Sequence, residues 1–341
     1  MTQSQENVHI DRNDPDRNDP DRNDLFSSAE LRTLTRRSSA QALRRSATHA
    51  VLYAVPVTGA LVIGTWWAIG LGWVLAAVVV ASLHNLLHCA SHGTFMNTYR
   101  GNRIAGQIAG TFILVNSALY RVFHMHHHRN THTADDPEPD GVITTLREYA
   151  TAMINFDYFV GFLRMSVASL GNRYPYFVTT DRARSAIRRD TWILLLWIAV
   201  VVALTILWPV VMLTVYIMPA CIAWVLNNFS IMPEHYYAER SDNPWRNTNS
   251  VYTKSKWFSF LNWNTNYHAE HHLYPGVPAW HLHEVSKQVR AHLACTETSY
   301  IRFHIRLLTD IVSGRAKEQD EAFVPQEGRA TSFIYPLRKA E

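Results

Sequence analysis

Three short runs of histidine carry the chemistry that this sequence offers. His88 and His92 stand four residues apart in His88-Cys89-Ala90-Ser91-His92. His124, His127 and His128 form His-x-x-His-His, and His268, His271 and His272 repeat that spacing. Helix residues three and four apart share one face, so each run can aim its imidazoles at one point. His235, in Pro233-Glu234-His235, adds a ninth. A single histidine at a helix end is an ordinary polar residue. Three clusters are different, because neutral imidazoles buried together lack partners and charged ones repel. Clustered histidine at helical spacing reads as metal ligation. Nine imidazoles are too many for one metal and suit two, with positions left open for oxygen. The His-Glu-x-x-His pattern of zinc proteases is not the one present, and imidazole alone accepts Fe, Zn, Cu or Ni.

Elements long enough to hold these runs are legible in the charge pattern. No Asp, Glu, Lys or Arg occurs from Ser46 to Tyr99, nor from Thr191 to Pro233. A helix needs about 20 apolar residues to cross a bilayer, so each stretch holds two spans. The first hairpin is expected over Ala50–Gly70 and Leu71–Leu87, turning at Gly70-Leu71-Gly72. The second is expected over Thr191–Trp208 and Val210–Ser230, broken by Pro209. Ile104–Tyr120 is also uncharged, but holds Gly106, Gln107, Gly110, Asn116 and Ser117. It reads as re-entrant or interfacial, since a true crossing would part the first two histidine runs. Arg32, Arg36, Arg37, Arg44 and Arg45 precede the first stretch, and eleven Arg lie within Arg100–Asp190. By the positive-inside rule these flanks are cytoplasmic. The fold expected is an all-α integral membrane protein: four transmembrane helices in two hairpins, with a cytoplasmic helical cap carrying the metal site. Residues 1–45 read as a disordered tail with Asp-Arg-Asn-Asp repeats separated by Pro, 46–312 as the membrane domain and 313–341 as a second tail. No secretory signal pattern precedes the spans. The expected location is the cell membrane, multi-pass, with both termini and the site cytoplasmic.

Other classes fit less well. The net charge of +4 is not arranged around a nucleic-acid-binding motif. Cys89, Cys221 and Cys295 show no paired spacing for a disulfide framework or a thiolate metal site. A metal transporter would place ligands near the bilayer midplane, whereas these gather at helix ends.

The same runs resemble the histidine boxes of the membrane fatty acid desaturase and hydroxylase superfamily. His88-Cys-Ala-Ser-His92-Gly93-Thr94-Phe95 is similar to the first box and Arg121-Val-Phe-His124-Met-His-His127-His128-Arg-Asn-Thr131 to the second. Asn264-Thr-Asn266-Tyr267-His268-Ala-Glu270-His271-His272-Leu273-Tyr-Pro275-Gly-Val277-Pro278 is similar to the third, in its flanks as well as its histidines. The resemblance covers about residues 50–290. It implies two Fe ions, O2 as co-substrate, and His88, His92, His124, His127, His128, His268, His271 and His272 as ligands. His235 is similar to an extra ligand that some members place between the second and third boxes. No catalytic residue separate from the metal ligands is implied. Three departures stand out: Cys89 replaces the usual acid of box one, box two continues Thr131-His132, and His84 extends the i, i+4 run as a possible extra ligand. His126 points about 100° off its neighbours and reads as non-ligating. Arg121, Glu234, Asn264 and Glu270 are candidates to orient ligand imidazoles. Asp135, Asp136, Glu138 and Asp140 are weaker ones, with solvated loop charge the preferred reading.

The activity implied is O2-dependent desaturation of an acyl chain or lipid-like substrate, either lipid-linked, acyl-carrier-linked or CoA-linked. The alternative is a diiron hydroxylase, or a desaturase of a small amino-acid-like or secondary-metabolite substrate. Electrons would come from a ferredoxin or similar donor with its reductase. The topology has a direct consequence. Single Cys residues at Asn97 and Asp140, in a background lacking the three native Cys, should both resist an impermeant thiol reagent in intact cells and both label once the membrane is opened. Labelling of only one in intact cells would make Ile104–Tyr120 a crossing and part the boxes.

Overall fold

The computed structural model describes residues 19–21, 24–321, 330 and 332–340. Two helices open the chain. α1 (Ser28–Leu34) starts with a reciprocal capping box between Ser27 and Glu30. α2 (Ser39–Ile63) is capped by Ser38 and stops at Gly64, whose φ of 68° suits a residue without Cβ. α3 (Trp66–Ser91) returns antiparallel. The turn therefore lies at Gly64-Thr65, upstream of the expected Gly70-Leu71-Gly72. Gly72 sits inside α3, where an added Cβ would lie 2.7 Å from Ala60 Cβ and 3.0 Å from Pro56 O. Its role is close helix approach rather than a turn.

α4 (Tyr99–Phe112) and α5 (Ser117–Asn130) form a pair bent by 105°. Leu114 takes a φ of 61° at the bend. Asn116 caps α5 through Leu119 N and donates from Nδ2 to Ile187 O and Thr191 Oγ1, both at 3.0 Å. These bonds pin the bend to the helix that carries residues 187 and 191. A pair bent so sharply is a broken span or a re-entrant loop.

α6 (Leu146–Ile154), α7 (Phe156–Leu170) and β1 (Arg173–Tyr174) follow. The third long helix is α8 (Asp181–Leu207). The fourth is a rod built from α9 (Pro209–Met212), a π turn at Leu213–Ile217, α10 (Met218–Ile231) and a 3-10 turn at Met232–Glu234. Pro219 removes a backbone donor, and the π turn lies immediately before it. Among the described residues, four helices are long and apolar enough to cross a membrane, or five if the bent pair is counted. Their outer faces expose Trp66, Leu71, Leu196, Val202 and Ile206, as lipid-facing surfaces do.

The rest forms the cap: β2 (Ser250–Val251), α11 (Lys256–Leu261), α12 (His268–Leu273), α13 (Leu282–Val289), β3 (Thr296–Glu297), α14 (Tyr300–Ser313), α15 (Arg315–Glu321) and β4 (Arg338–Lys339). β2 pairs parallel with β3, and β1 antiparallel with β4. Arg45 ties the cap to α2. It donates to Ser259 O, Phe260 O and Asn264 Oδ1, and its guanidinium carbon lies 4.6 Å from the Trp263 ring centre.

Within the N-terminal segment read as a disordered tail, residues 28–34 and 39–45 are helical. Most of the repeat lies outside the described residues, but Asp19 Oδ2 accepts from Asn243 Nδ2 at 2.8 Å and Arg246 Nε at 3.2 Å. At the other end, Tyr335 is buried, donates to Pro137 O, and leads into β4. Composition missed this because a few aromatic anchors suffice to dock a polar segment.

Candidate metal centre

Each histidine run falls where a helix ends at the cap. His88 lies in the last turn of α3 and His92 is its C-cap; His124, His127 and His128 lie in α5; His268, His271 and His272 make up half of α12. His235 follows the 3-10 turn that closes the fourth rod. Its Nδ1 meets Asn247 O at 3.2 Å, which turns Nε2 inward.

The nine rings sort into two groups. His88, His92, His124, His128 and His271 have ligand nitrogens within 4.8 Å of one another, and so do His127, His235 and His272. His268 joins the second group, with its Nε2 3.2 Å from His235 Nε2 and 3.1 Å from His272 Nε2. The groups abut, with His128 and His272 stacked at 3.9 Å between ring centres. In the first group, His271 Nε2 and His92 Nε2 are 3.1 Å apart, as are His128 Nε2 and His124 Nε2.

These residues fit a metal pair. Metal–imidazole bonds of about 2.1 Å place neighbouring donor nitrogens about 3.0–3.4 Å apart, the spacing seen. Both ring nitrogens of His88 are buried without a hydrogen-bond partner, as is His268 Nδ1. Each such orphan costs about 1–3 kcal/mol unless its lone pair meets a metal or its N–H an acceptor. Burial first, then neighbouring imidazoles, hold His271 and His272 well below the ordinary histidine range. They are therefore neutral near pH 7 and present lone pairs, as ligation requires.

The surroundings correct several expectations. Asp136, preferred as a solvated charge, is buried and sits 2.9 Å from His127 Nδ1, while His127 Nε2 faces His235 Nε2 at 3.2 Å. Burial opposes its charge, but His127 and the backbone amides of Glu138 and His132 hold its carboxyl down to about 2. Glu138 Oε2 also lies 3.2 Å from His127 Nδ1. The signal available was the short Asp-Asp-Pro-Glu loop just after box two. Arg121 is exposed on α5. Asn264 accepts from Arg45 rather than meeting a histidine. Glu270 is fully buried on the back of α12, where it accepts from Ser250 Oγ and from Tyr252 OH at 2.6 Å. It fixes the helix, not an imidazole. His84 belongs to neither group, and its Nε2 lies 3.4 Å from Tyr158 OH. Of the four orienting candidates, Glu234 alone reaches a clustered histidine, with Oε2 3.4 Å from His268 Nε2. His126 turns away to pack edge-on to Tyr176. Tyr120, which the sequence did not single out, stacks on His124 at 5.3 Å.

A small cavity adjoins the cluster, and a larger apolar one adjoins that cavity. The small one, about 70 Å³, is lined by His88, His124, His127 and His268 together with Glu138 and Glu234. The larger, about 320 Å³, is walled by Val80, Phe112, Leu114, Phe159 and Ala223. His84, Trp224 and Asn227 line both.

The Asp136 contact predicts a pH and mutational response. Because its carboxyl is depressed, the His127–Asp136 contact adds stability above the unfolded carboxyl's pKa of about 3.9 and loses it as pH falls toward about 2. Asp136→Asn should cut metal affinity about 10–100-fold, while His126→Ala leaves it near wild type. Equal metal binding by Asp136→Asn and wild type would remove the orienting role.

Comparison with known proteins agrees with this architecture. The family model described as "Fatty acid desaturase" matches residues 64–304. An acyl-lipid omega-3 desaturase (cytochrome b5) of the endoplasmic reticulum from Arabidopsis thaliana is 22% identical over 262 residues, covering 68% of this chain and 66% of that protein. A chloroplastic temperature-sensitive sn-2 acyl-lipid omega-3 desaturase (ferredoxin) from the same plant is 26% identical, covering 66% of this chain and 57% of its own length. Dihydrorhizobitoxine desaturase from Bradyrhizobium elkanii is 27% identical, covering 65% and 68%. The chain thus spans between about half and two thirds of the length of these relatives. With the model matched across three of the four long helices and all three histidine boxes, the chain belongs to the fatty acid desaturase family, whose members are oxidoreductases.

Proposed function

We propose that this protein is an O2-dependent desaturase that introduces a double bond into an acyl chain or lipid-like substrate, using two Fe ions held by the nine imidazoles. The observation that carries this reading is their division into groups of five and four at the cap ends of the long helices. Bound iron would supply activation of O2 for removing hydrogen from an unactivated C–H bond. The protein's own part is positional. His88, His92, His124, His128 and His271 would hold one metal, and His127, His235, His268 and His272 the other. Asp136 fixes the His127 ring through Nδ1, and Tyr120 braces His124. The apolar cavity behind His84 and Trp224 suits hydrocarbon and keeps water from it. An acyl chain lying there would reach the smaller cavity at the cluster.

Electrons would come from a ferredoxin, cytochrome b5 or similar donor with its reductase. The names of two plant relatives carry those donors. The arginine-rich flanks support a cytoplasmic face for the cap, at the cell membrane. The substrate would be lipid-linked, acyl-carrier-linked or CoA-linked.

One observation favours a second reading. The cavity at the cluster is small and carries Glu138, Asn155, Asn227, Asn228 and Glu234, which suits a short polar substrate better than bare methylenes. That supports the amino-acid-like alternative, in keeping with the name of the Bradyrhizobium relative.

Mass spectrometry of lipid and polar extracts from cells expressing the protein, against cells expressing His127→Ala, separates these readings. The acyl reading expects a fatty acyl species lacking two hydrogens that vanishes in the variant. A new unsaturated species confined to the polar extract would select the small-substrate reading. Identical extracts from the two cells, with both proteins present in the membrane, would contradict both.

A further inference from the structure

Three carboxylates approach the second histidine group: Asp136 and Glu138 both meet His127 at Nδ1, whereas Glu234 meets His268 at Nε2. Asp136 meets His127 at Nδ1, leaving Nε2 directed at His235. That is the geometry of an acceptor that orients a ligand from behind. Glu234 meets His268 at Nε2, the nitrogen that also faces His235 and His272 at 3.2 and 3.1 Å. Its Oε2 stands 3.4 Å from that atom, on the donor side of the ring. Nδ1 of His268, where an orienting acceptor would sit, has no hydrogen-bond partner among the described residues.

The donor count points the same way. The first group offers five imidazoles and the second four. A carboxylate at Glu234 makes the second group five. Charge balance adds a further reason. Glu234 is largely buried and lines the cavity at the cluster together with Glu138. Among the described residues, none of those lining that cavity is Lys or Arg. A carboxylate withdrawn from water needs a cation or a proton, and a metal at His268 is the cation within reach.

The backbone holds Glu234 in this position. It closes the 3-10 turn Met232–Glu234, begun by a Met-Pro pair. Its carbonyl accepts from Asn249 N at 2.7 Å, and Asn249 Nδ2 donates to Pro233 O at 3.0 Å. The side chain thus leaves a braced turn beside His235.

We infer that Glu234 is a carboxylate donor to the metal held by His127, His235, His268 and His272, so that the two centres differ: five imidazoles at one, four imidazoles and a carboxylate at the other. The inference rests on the two-metal reading of the site, which the iron content of the wild-type protein tests separately.

The test uses the full chain loaded natively with iron and enriched in the Mössbauer-active isotope. In Glu234→Gln, one of the two iron sites should change its Mössbauer doublet and release iron to a chelator faster by about a hundredfold, the upper end of what losing a merely orienting contact costs. The other site should keep the wild-type doublet and release rate, which also shows that the variant is folded. Glu234→His, which offers a donor atom but no carboxylate, should recover slow release at the affected site. Unchanged doublets and release at both sites in Glu234→Gln would overturn the inference. So would loss of both irons in parallel, or failure of Glu234→His to slow the release.

Discussion

Nine imidazoles with their lone pairs turned on one another are a liability to any fold until cations sit among them. Protonating them to satisfy the nitrogens would place like charges 3.1–3.2 Å apart in a dry setting. Leaving them neutral strands buried polar nitrogens, as on the His88 ring. Either state costs several kcal/mol, whereas metal ligation takes up the lone pair of each ring. This constraint accounts for much of the remaining structure, because cations can serve all nine rings only if several distant segments end at one place.

That meeting place dictates the membrane architecture. α3 brings the first box to the cap, and the bent pair α4–α5 must bring the second back to the same face. The bend is held by Asn116, by its bonds to Ile187 and Thr191, and by Asp190 Oδ2 accepting from Ala118 N. A residue near the start of the third long helix thus sets where α5 begins, and with it where His124, His127 and His128 point. α8 and the following rod, both long and apolar enough to cross a membrane, then deliver His235. The last box has no span of its own. α12 is only six residues long, too short to be stable alone, and Glu270 anchors its back through Ser250 and Tyr252.

Much of this was legible in the sequence, for a physical reason. Metal ligation requires a fixed side-chain type at helical spacing, and hydrocarbon excludes charge, so both leave marks in one dimension. The rest is set by partners far apart in the chain. Gly72 reads as a turn until Pro56 and Ala60 show that it is a contact surface. Asp136 reads as one of several loop acids until the fold brings it under His127. Asn264 and Glu270 lie inside a box and look like ligand partners, yet Arg45, Ser250 and Tyr252 claim them for holding the cap together. The final segment is polar by composition, and only the docking of Phe333 and Tyr335 reveals it as part of the fold.

The central claim is that the histidine groups hold a pair of iron ions, and metal content tests it most directly. Protein purified from cells with ample iron and zinc, without added metal or chelator, should contain about two Fe per chain, as five and four imidazoles at two centres require. One zinc and no iron per chain would contradict the account.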